Sequence, residues 1–175
     1  MGGKDAGGKT GVVGIMDFGK PGYTVALRFD MDANDLMELA DDSHRPFREN
    51  FSSINEGAMH GCGHDGHAAM GLGIAEVLAE MKDELIGKVK LIFQPAEEGA
   101  RGAKCMTEKG IVDGVDYMLG VHLGLNAQKT GMVACSSASF QESIKTNAVF
   151  KGISAHAGAA PQQGRNALLA AATLL

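Results

Sequence analysis

Segments with the composition of β-strands alternate with segments of helical periodicity along most of the chain, and this alternation limits the possible folds. β-rich runs cover residues 23–30, 88–93 and 117–121. A helical pattern covers about 65–82 between the first two runs, and a shorter one covers about 100–109 between the last two. Such alternation predicts an α/β fold, in which helices flank a mostly parallel sheet.

The first helical pattern carries one apolar face. Apolar residues recur at spacings of four, three and four, which is typical of the buried side of a helix. These residues are Met70, Ile74, Val77 and Met81. We therefore expect this face to pack on the sheet.

Two connecting segments carry their own signals. A further β-rich run at 12–16 is joined to the run at 23–30 by the letters GKPG, which predict a hairpin or two neighbouring strands. Residues 35–57 are polar and contain Pro46, so they predict a long loop of the kind that is often functional.

The pattern changes beyond Cys135. A longer, half-polar strand is predicted at 141–151, followed by a glycine-rich loop and an alanine-rich helix from about Asn166. The sequence therefore predicts two domains, one over residues 1–137 and the start of another over 138–175.

Composition excludes several classes of partner. The 175 residues carry 16 Lys and Arg against 21 Asp and Glu, a net charge of −5, which gives no broad positive surface for nucleic acid or anionic lipid. No apolar run approaches the roughly 20 residues of a membrane span. Three widely spaced cysteines, Cys62, Cys105 and Cys135, favour a reducing cytoplasm over a disulfide framework.

Potential metal ligands follow the predicted strands. Cys62 and His64 lie in the glycine-flanked run MHGCGHDGH, and thiolate and imidazole suit zinc or a similar divalent ion. Glu97 and Glu98 follow the second β-rich run, where one carboxylate can ligate while the other faces an activated water as a general base. His122 ends the third run.

Three further side chains lie near this cluster, and two of them are open to two interpretations. Asp32 follows the first strand of the alternation, at the sheet edge where ligands gather in α/β proteins. His60 and His67 flank the cluster, and each is either a further ligand or a partner that orients the true ligands, of which we expect the second.

A phosphate-loop spacing, GKDAGGKT, covers residues 3–10. The motif requires a strand before it and a helix after it, whereas here a single dipeptide precedes it and a β-rich run follows. We therefore expect no nucleotide binding.

The ordered motifs closely resemble the amidohydrolase branch of the dinuclear metallopeptidases, which includes hippurate hydrolases and auxin-conjugate amidohydrolases. The motifs are RFDMDA at 28–33, CGHDGH at 62–67, FQPAEEG at 93–99, the pair Val121–His122 and the letters HAG at 156–158. The resemblance covers nearly the whole chain. It implies a zinc-peptidase-like catalytic domain over 1–137 and the beginning of a small α+β lid domain after it.

The resemblance also implies a role for each matched residue. Cys62, His64, Glu98 and His122 would bind metal, with two divalent ions, zinc or manganese, at a complete site. Glu97 would be the general base that acts on a metal-activated water. Asp32 would orient a ligand, and His156 of the lid would stabilise the tetrahedral oxyanion, in relatives often across a dimer interface.

Finer motifs resemble the subgroup that hydrolyses p-aminobenzoyl-glutamate. They are SHRPF at 43–47, EGARGAK at 98–104 and NALLAA at 166–171. The expected substrate is therefore an N-aroyl amino acid such as p-aminobenzoyl-glutamate, with a general N-acyl amino acid of the hippurate type as the alternative.

The resemblance implies parts that this sequence does not contain. Family members are more than twice as long, with an N-terminal helical segment, a complete lid and a last metal-binding histidine. We therefore expect a central fragment with little or no activity alone, whose full-length form is a homodimer or heteromer through the lid. The competing hypothesis is a non-catalytic metal-binding remnant.

Overall fold

The computed structural model describes residues 10–124, 129–135 and 146–174. Two compact units divide the chain, Met1–Ala134 and Cys135–Leu175. The segment with phosphate-loop spacing lies outside the described residues except for Thr10, and a strand rather than a helix begins two residues later.

A four-stranded mixed sheet forms the centre of the first unit. Its strands are β1 (Val12–Asp17), β2 (Thr24–Asp30), β3 (Lys88–Gln94) and β4 (Tyr117–Gly120), in the order β1-β3-β2-β4. β2 pairs in parallel with both β3 and β4, whereas β1 pairs antiparallel with β3. The predicted α/β fold with a mostly parallel sheet is confirmed.

The predicted pairing of the first two strands is wrong, because β3 lies between them. The turn that links β1 to β2 binds the start of β3 instead of closing a hairpin. Gly87 accepts a hydrogen bond from the Phe18 amide at 3.1 Å and donates one to Lys20 O at 2.9 Å. A Cβ on Gly22 would lie 2.8 Å from the Gly87 nitrogen, so the two backbones approach too closely for a side chain at residue 22.

Helices cover both faces of the sheet. Helix α1 (Arg45–Arg48) lies within the loop after β2, α2 (His64–Glu80) links β2 to β3, and α3 (Gly102–Glu108) links β3 to β4. Successive strand residues point to opposite faces. Phe29 and Phe93 contact α2, whereas Ala26 and Ile92 pack with Met106 of α3 in the core.

Helix α2 buries a different face from the predicted one. Val77 is 54% exposed and Met81 is 39% exposed, so the interpretation was wrong for these two residues. The buried residues of α2 are His64, His67 and Gly71. The helix places these two imidazoles over the polar strand ends, and its Gly71 contacts Phe29 and Phe93. These contacts set the rotation of α2 about its own axis.

The long loop predicted after β2 is held at its base and across its middle. Asn34 and Met59 exchange backbone hydrogen bonds of 2.8 and 3.1 Å, which close the loop just after Asp32 and just before Cys62. Glu38 accepts hydrogen bonds from His44 Nε2 at 2.8 Å and from the Ser53 amide. The loop therefore delivers both of its ends to one place.

The second unit contains a bridge, a 3-10 turn and one helix. Ile153 pairs with Arg165, Pro161–Gln163 form the 3-10 turn, and α4 covers Ala167–Leu174. Asn166 Oδ1 accepts the Leu169 amide at 3.0 Å and so caps the helix that the sequence predicts there. Of the strand predicted at 141–151, residues 141–145 lie outside the described residues, and 146–151 do not form a strand.

Within the described ranges, every helix is too short or too polar to cross a membrane.

Gly71 and Gly73 provide a matched test of the contact between α2 and the sheet. A Cβ on Gly71 would lie 2.6 Å from Phe93 Cε1 and 2.8 Å from Phe29 Cδ2, whereas one on Gly73 would meet nothing within 4 Å. Both alanines gain helix propensity of about 1 kcal/mol, but Gly71→Ala also overpacks the core by about 1–3 kcal/mol. We expect urea unfolding to show Gly73→Ala stabilised and Gly71→Ala destabilised. Equal stabilities would contradict this packing.

Candidate metal centre

Three parallel strands end at the same edge of the sheet, and the segments that follow them meet the first turn of α2 there. Asp32 lies two residues beyond β2, Glu97 and Glu98 lie three and four beyond β3, and His122 lies two beyond β4. His64 is the first residue of α2. The topology therefore brings together residues that are as many as 90 positions apart.

The two ring nitrogens of His64 differ in their hydrogen bonding. Its Nδ1 donates to the backbone carbonyl of Asp32 at 3.0 Å and lies 3.3 Å from Asp32 Oδ1. The side chain is fully buried, and its Nε2 has no hydrogen-bond partner among the described residues. With the Nδ1 proton donated to the Asp32 carbonyl, the neutral form of the ring presents an Nε2 lone pair to the site.

Asp32 connects His64 to the glutamate pair. Its Oδ2 accepts the backbone amide of Glu98 at 3.1 Å, while its carbonyl accepts His64 Nδ1–H. One residue thus fixes the first turn of α2 relative to the turn that follows β3.

The turn that presents Glu97 and Glu98 is tight and strained. Ala96 and Ala100 both have φ near +52°, in the left-handed region that L-residues avoid. The amides of Arg101 and Gly102 both donate to Ala96 O at 3.2 Å. A Cβ on Gly102 would lie 1.6 Å from the Pro95 carbonyl oxygen, so only glycine fits there.

Cys62 and His122 complete the cluster. Cys62 Sγ lies 3.4 Å from His122 Nε2, and His122 Nδ1 donates to Leu123 O at 2.9 Å. Burial raises the pKa of the Cys62 thiol, and the negative charge and hydrogen bond of Glu98 raise it further. A bound cation would oppose both effects, because it favours the thiolate.

Two groups of ligand atoms at this edge could each hold a divalent ion. One consists of Cys62, His64 and His122, and the other of His64, Glu97 and Glu98, with all atoms of each group within 4.8 Å of one another. Thiolate, imidazole and carboxylate are ligands of zinc and similar ions. His64 belongs to both groups, and its buried Nε2 has no hydrogen-bond partner among the described residues. The donor set therefore fits a metal centre.

Sequence reasoning gave Asp30 no role in the site. Asp30 is fully buried, its carboxylate bonds His67 Nδ1, and it lies 2.7 Å from Arg28 Nη1. Burial raises the pKa of Asp30, but the hydrogen bond from His67 and the charge of Arg28 outweigh burial and hold that pKa below its ordinary value. The sequence signal that could have indicated this contact was the spacing of His64 and His67, which puts both imidazoles on one helix face.

The remaining histidines differ in their surroundings. His60 is exposed and belongs to none of the ligand groups found among the described residues. His156, in the second unit, accepts the backbone amides of Gly158 at 3.2 Å and Ala159 at 3.0 Å on Nδ1. Its neutral ring therefore carries the proton on Nε2, which is left as a hydrogen-bond donor.

Comparison with known proteins places these residues in a family context. The profile described as peptidase family M20/M25/M40 matches residues 26–170. The indole-3-acetyl-aspartic acid hydrolase of Enterobacter agglomerans is 56% identical over 166 residues, and one subunit of the p-aminobenzoyl-glutamate hydrolase of Escherichia coli K12 is 54% identical over 166 residues. Both alignments cover 95% of this chain but only 38% of the relative.

Solved structures show the same likeness. The aminobenzoyl-glutamate utilization protein of Klebsiella pneumoniae superposes with a TM-score of 0.59 at 39% identity, covering 93% of this chain and 34% of that one. The YXEP protein of Bacillus subtilis, described as a dinuclear metal binding peptidase from the M20 family, gives 0.59 at 39% identity, covering 65% of this chain and 30% of its own. This chain therefore belongs to peptidase family M20/M25/M40.

Proposed function

We propose that the protein hydrolyses the amide bond of an N-acyl or N-aroyl amino acid with the help of divalent metal ions. The buried Nε2 of His64, which has no hydrogen-bond partner in the part of the chain that the structure describes and lies beside a thiol and two carboxylates, carries this proposal. Similarity to hydrolases of p-aminobenzoyl-glutamate and indole-3-acetyl-aspartic acid supports the substrate class.

The proposed metal ligands are Cys62, His64, Glu98 and His122, and a complete site would hold two ions, zinc or manganese. The dinuclear centre named for the Bacillus subtilis relative supports two ions. Cys62 and His122 supply one side of the cluster, Glu98 the other, and His64 belongs to both ligand groups.

Glu97 is the proposed general base. Its side chain is 41% exposed, and its Oε2 lies 3.9 Å from His64 Nε2, so the carboxylate borders the ligand cluster and still reaches solvent. Glu98, by contrast, interacts with the Cys62 thiol.

The proposed chemistry divides among the ions and the side chains. The bound ions would polarise the substrate carbonyl and lower the pKa of the attacking water. Glu97 takes the proton of that water and passes it to the departing amide nitrogen. Asp32 holds His64 and the glutamate turn in register. The role proposed for His156, by the family resemblance, is to donate from Nε2 to the oxygen that becomes negative.

Substrate preference has two candidates that the relatives do not separate. The identities to the indole-3-acetyl-aspartic acid hydrolase and to the p-aminobenzoyl-glutamate hydrolase differ little, at 56% and 54%. The motifs at 43–47 and 98–104 favour p-aminobenzoyl-glutamate. Comparing kcat/KM for p-aminobenzoyl-glutamate, indole-3-acetyl-aspartate and hippurate decides the question.

The wider organisation is also a proposal. Residues 1–137 would be part of a catalytic domain, and 138–175 would begin a lid through which a homodimer or heteromer forms in the cytoplasm. The Escherichia coli relative is named as one subunit of its enzyme, which supports a multi-subunit assembly. The alternative is a non-catalytic metal-binding remnant, and turnover of N-acyl amino acids by the 175-residue chain with zinc or manganese would exclude it.

Replacing Glu97 and Glu98 separately tests their different proposed roles. The test uses a catalytically active polypeptide that contains both residues. Glu97→Gln should lower kcat for p-aminobenzoyl-glutamate by about 10²-fold or more, since the base is lost, while metal content by atomic absorption is retained. Glu98→Gln should lower metal content itself. Glu76→Gln, on the exposed side of α2, is the control and should change neither. Normal turnover by Glu97→Gln would refute the assigned base.

Replacing His156 by asparagine or by glutamine separates the hydrogen bonds that its Nδ1 accepts within the turn from the donor role proposed for its Nε2. Asparagine can accept the Gly158 and Ala159 amides as Nδ1 does, but it lacks a donor at the Nε2 position. His156→Asn should therefore unfold at an unchanged temperature and lose about 10²–10³-fold in kcat. His156→Gln supplies an N–H near that position and should retain more activity. Equal kcat for both variants and the unmodified protein would leave His156 a turn residue only.

A further inference from the structure

A continuous chain of contacts connects the interior of the sheet to His122. Arg28 Nη1 lies 2.7 Å from Asp30 Oδ2, in an ion pair without the angles of a directed hydrogen bond. Asp30 Oδ1 bonds His67 Nδ1, and His67 Nε2 accepts the backbone amide of Leu123 at 2.9 Å. Leu123 O in turn accepts His122 Nδ1–H at 2.9 Å.

The acceptor role of His67 Nε2 determines the position of its proton. A backbone amide only donates, so Nε2 must present a lone pair to Leu123, and the proton of the neutral ring resides on Nδ1. Nδ1–H then points at the Asp30 carboxylate, which accepts it. Both nitrogens of this fully buried ring are occupied within the protein.

These contacts also argue against a third metal position. Asp30, His64 and His67 place ligand-type atoms within 4.8 Å of one another. A cation there would lie beside the Arg28 guanidinium and would have to displace either Leu123 or Asp30 from His67. The geometry suits a hydrogen-bonded support better than a ligand set.

The segment that carries His122 depends on such support. β4 is only four residues long, every one of its residues is exposed, and β2 is its partner in the sheet. His122 is exposed as well. Two contacts hold the next residue, Leu123: its amide bonds His67, and its Cδ1 occupies the space over Gly66, where a Cβ would lie only 2.5 Å away.

We propose that Asp30 and His67 are positioning residues that act on the metal centre through the Leu123 peptide. His67 fixes the Leu123 amide, and the Leu123 carbonyl then fixes the tautomer and direction of His122, whose Nε2 faces Cys62 Sγ at 3.4 Å. Outer hydrogen bonds of this kind orient metal-binding imidazoles. The inference rests on the proposed role of His122 as a ligand.

Paired substitutions at His67 separate the two ends of its ring. Asparagine can still donate to Asp30 from the Nδ1 position but cannot reach Leu123, whereas glutamine can accept the Leu123 amide. We expect His67→Asn to lower zinc affinity by about 10–100-fold in chelator competition, and His67→Gln to lower it less. His60→Asn, the same change at an exposed histidine, should leave affinity unchanged. A His67→Gln defect as large as that of His67→Asn would overturn the connection through Leu123.

A double-mutant cycle with His122→Ala distinguishes positioning from general damage. If His67 acts through His122, His67→Asn should cause no further loss of zinc affinity in the His122→Ala background. In the cobalt-loaded protein, the ligand-field spectrum of His67→Asn should shift toward that of His122→Ala, while the thiolate charge-transfer band of Cys62 remains. Additive losses would overturn the proposal. No effect of His122→Ala alone would instead refute the ligand set itself, and the positioning role with it.

The unmodified protein provides a test that requires no folded variant. Nitrogen-15 NMR of the imidazoles should show His67 protonated at Nδ1 and unprotonated at Nε2 near neutral pH. The opposite tautomer, or a doubly protonated ring, would be incompatible with acceptance of the Leu123 amide and would overturn the proposal.

Discussion

The hydrogen bond from His64 Nδ1 to the Asp32 carbonyl joins the start of α2 to the segment that follows β2, and the candidate metal centre depends on it. The imidazole is completely buried, and the bond directs Nε2, which has no hydrogen-bond partner among the described residues, toward the candidate ligand cluster. A buried polar atom without a partner costs about 1–3 kcal/mol. The protein accepts this cost at the atom where a cation would be bound, so binding a cation would also stabilise the fold.

The parallel arrangement explains why the sequence predicts so much of this centre. Ligands that follow β2, β3 and β4 must meet at one edge once those strands are parallel, whatever their distance in sequence. The alternation of strands and helices therefore predicted the meeting of Asp32, the glutamate pair and His122. To predict the cluster, it was enough to locate the ends of the strands to within a few residues.

Features that depend on tertiary contact escaped prediction. The turn after β1 has the composition of a hairpin turn, yet its hydrogen bonds go to Gly87, 65 positions beyond Gly22. Periodicity in α2 identified a helix but not its rotation, because the contacts that rotate it are two imidazoles and a glycine rather than large apolar side chains. Asp30 was missed for the same reason, since its partner His67 is recognised only when the helix lies on the sheet.

The two sides of the centre are held by different means. The glutamate turn is strained and closely packed: left-handed Ala96 and Ala100 each cost about 1–2 kcal/mol, and the Asp32 bond to Glu98 with the close fit of Gly102 keeps them in place. His122 follows an exposed strand and relies on the peptide of Leu123. A ligand held mainly through one peptide can adjust its position more easily than ligands in a strained turn. In the proposed metal centre, we therefore expect the His122 side to adjust more readily than the glutamate turn.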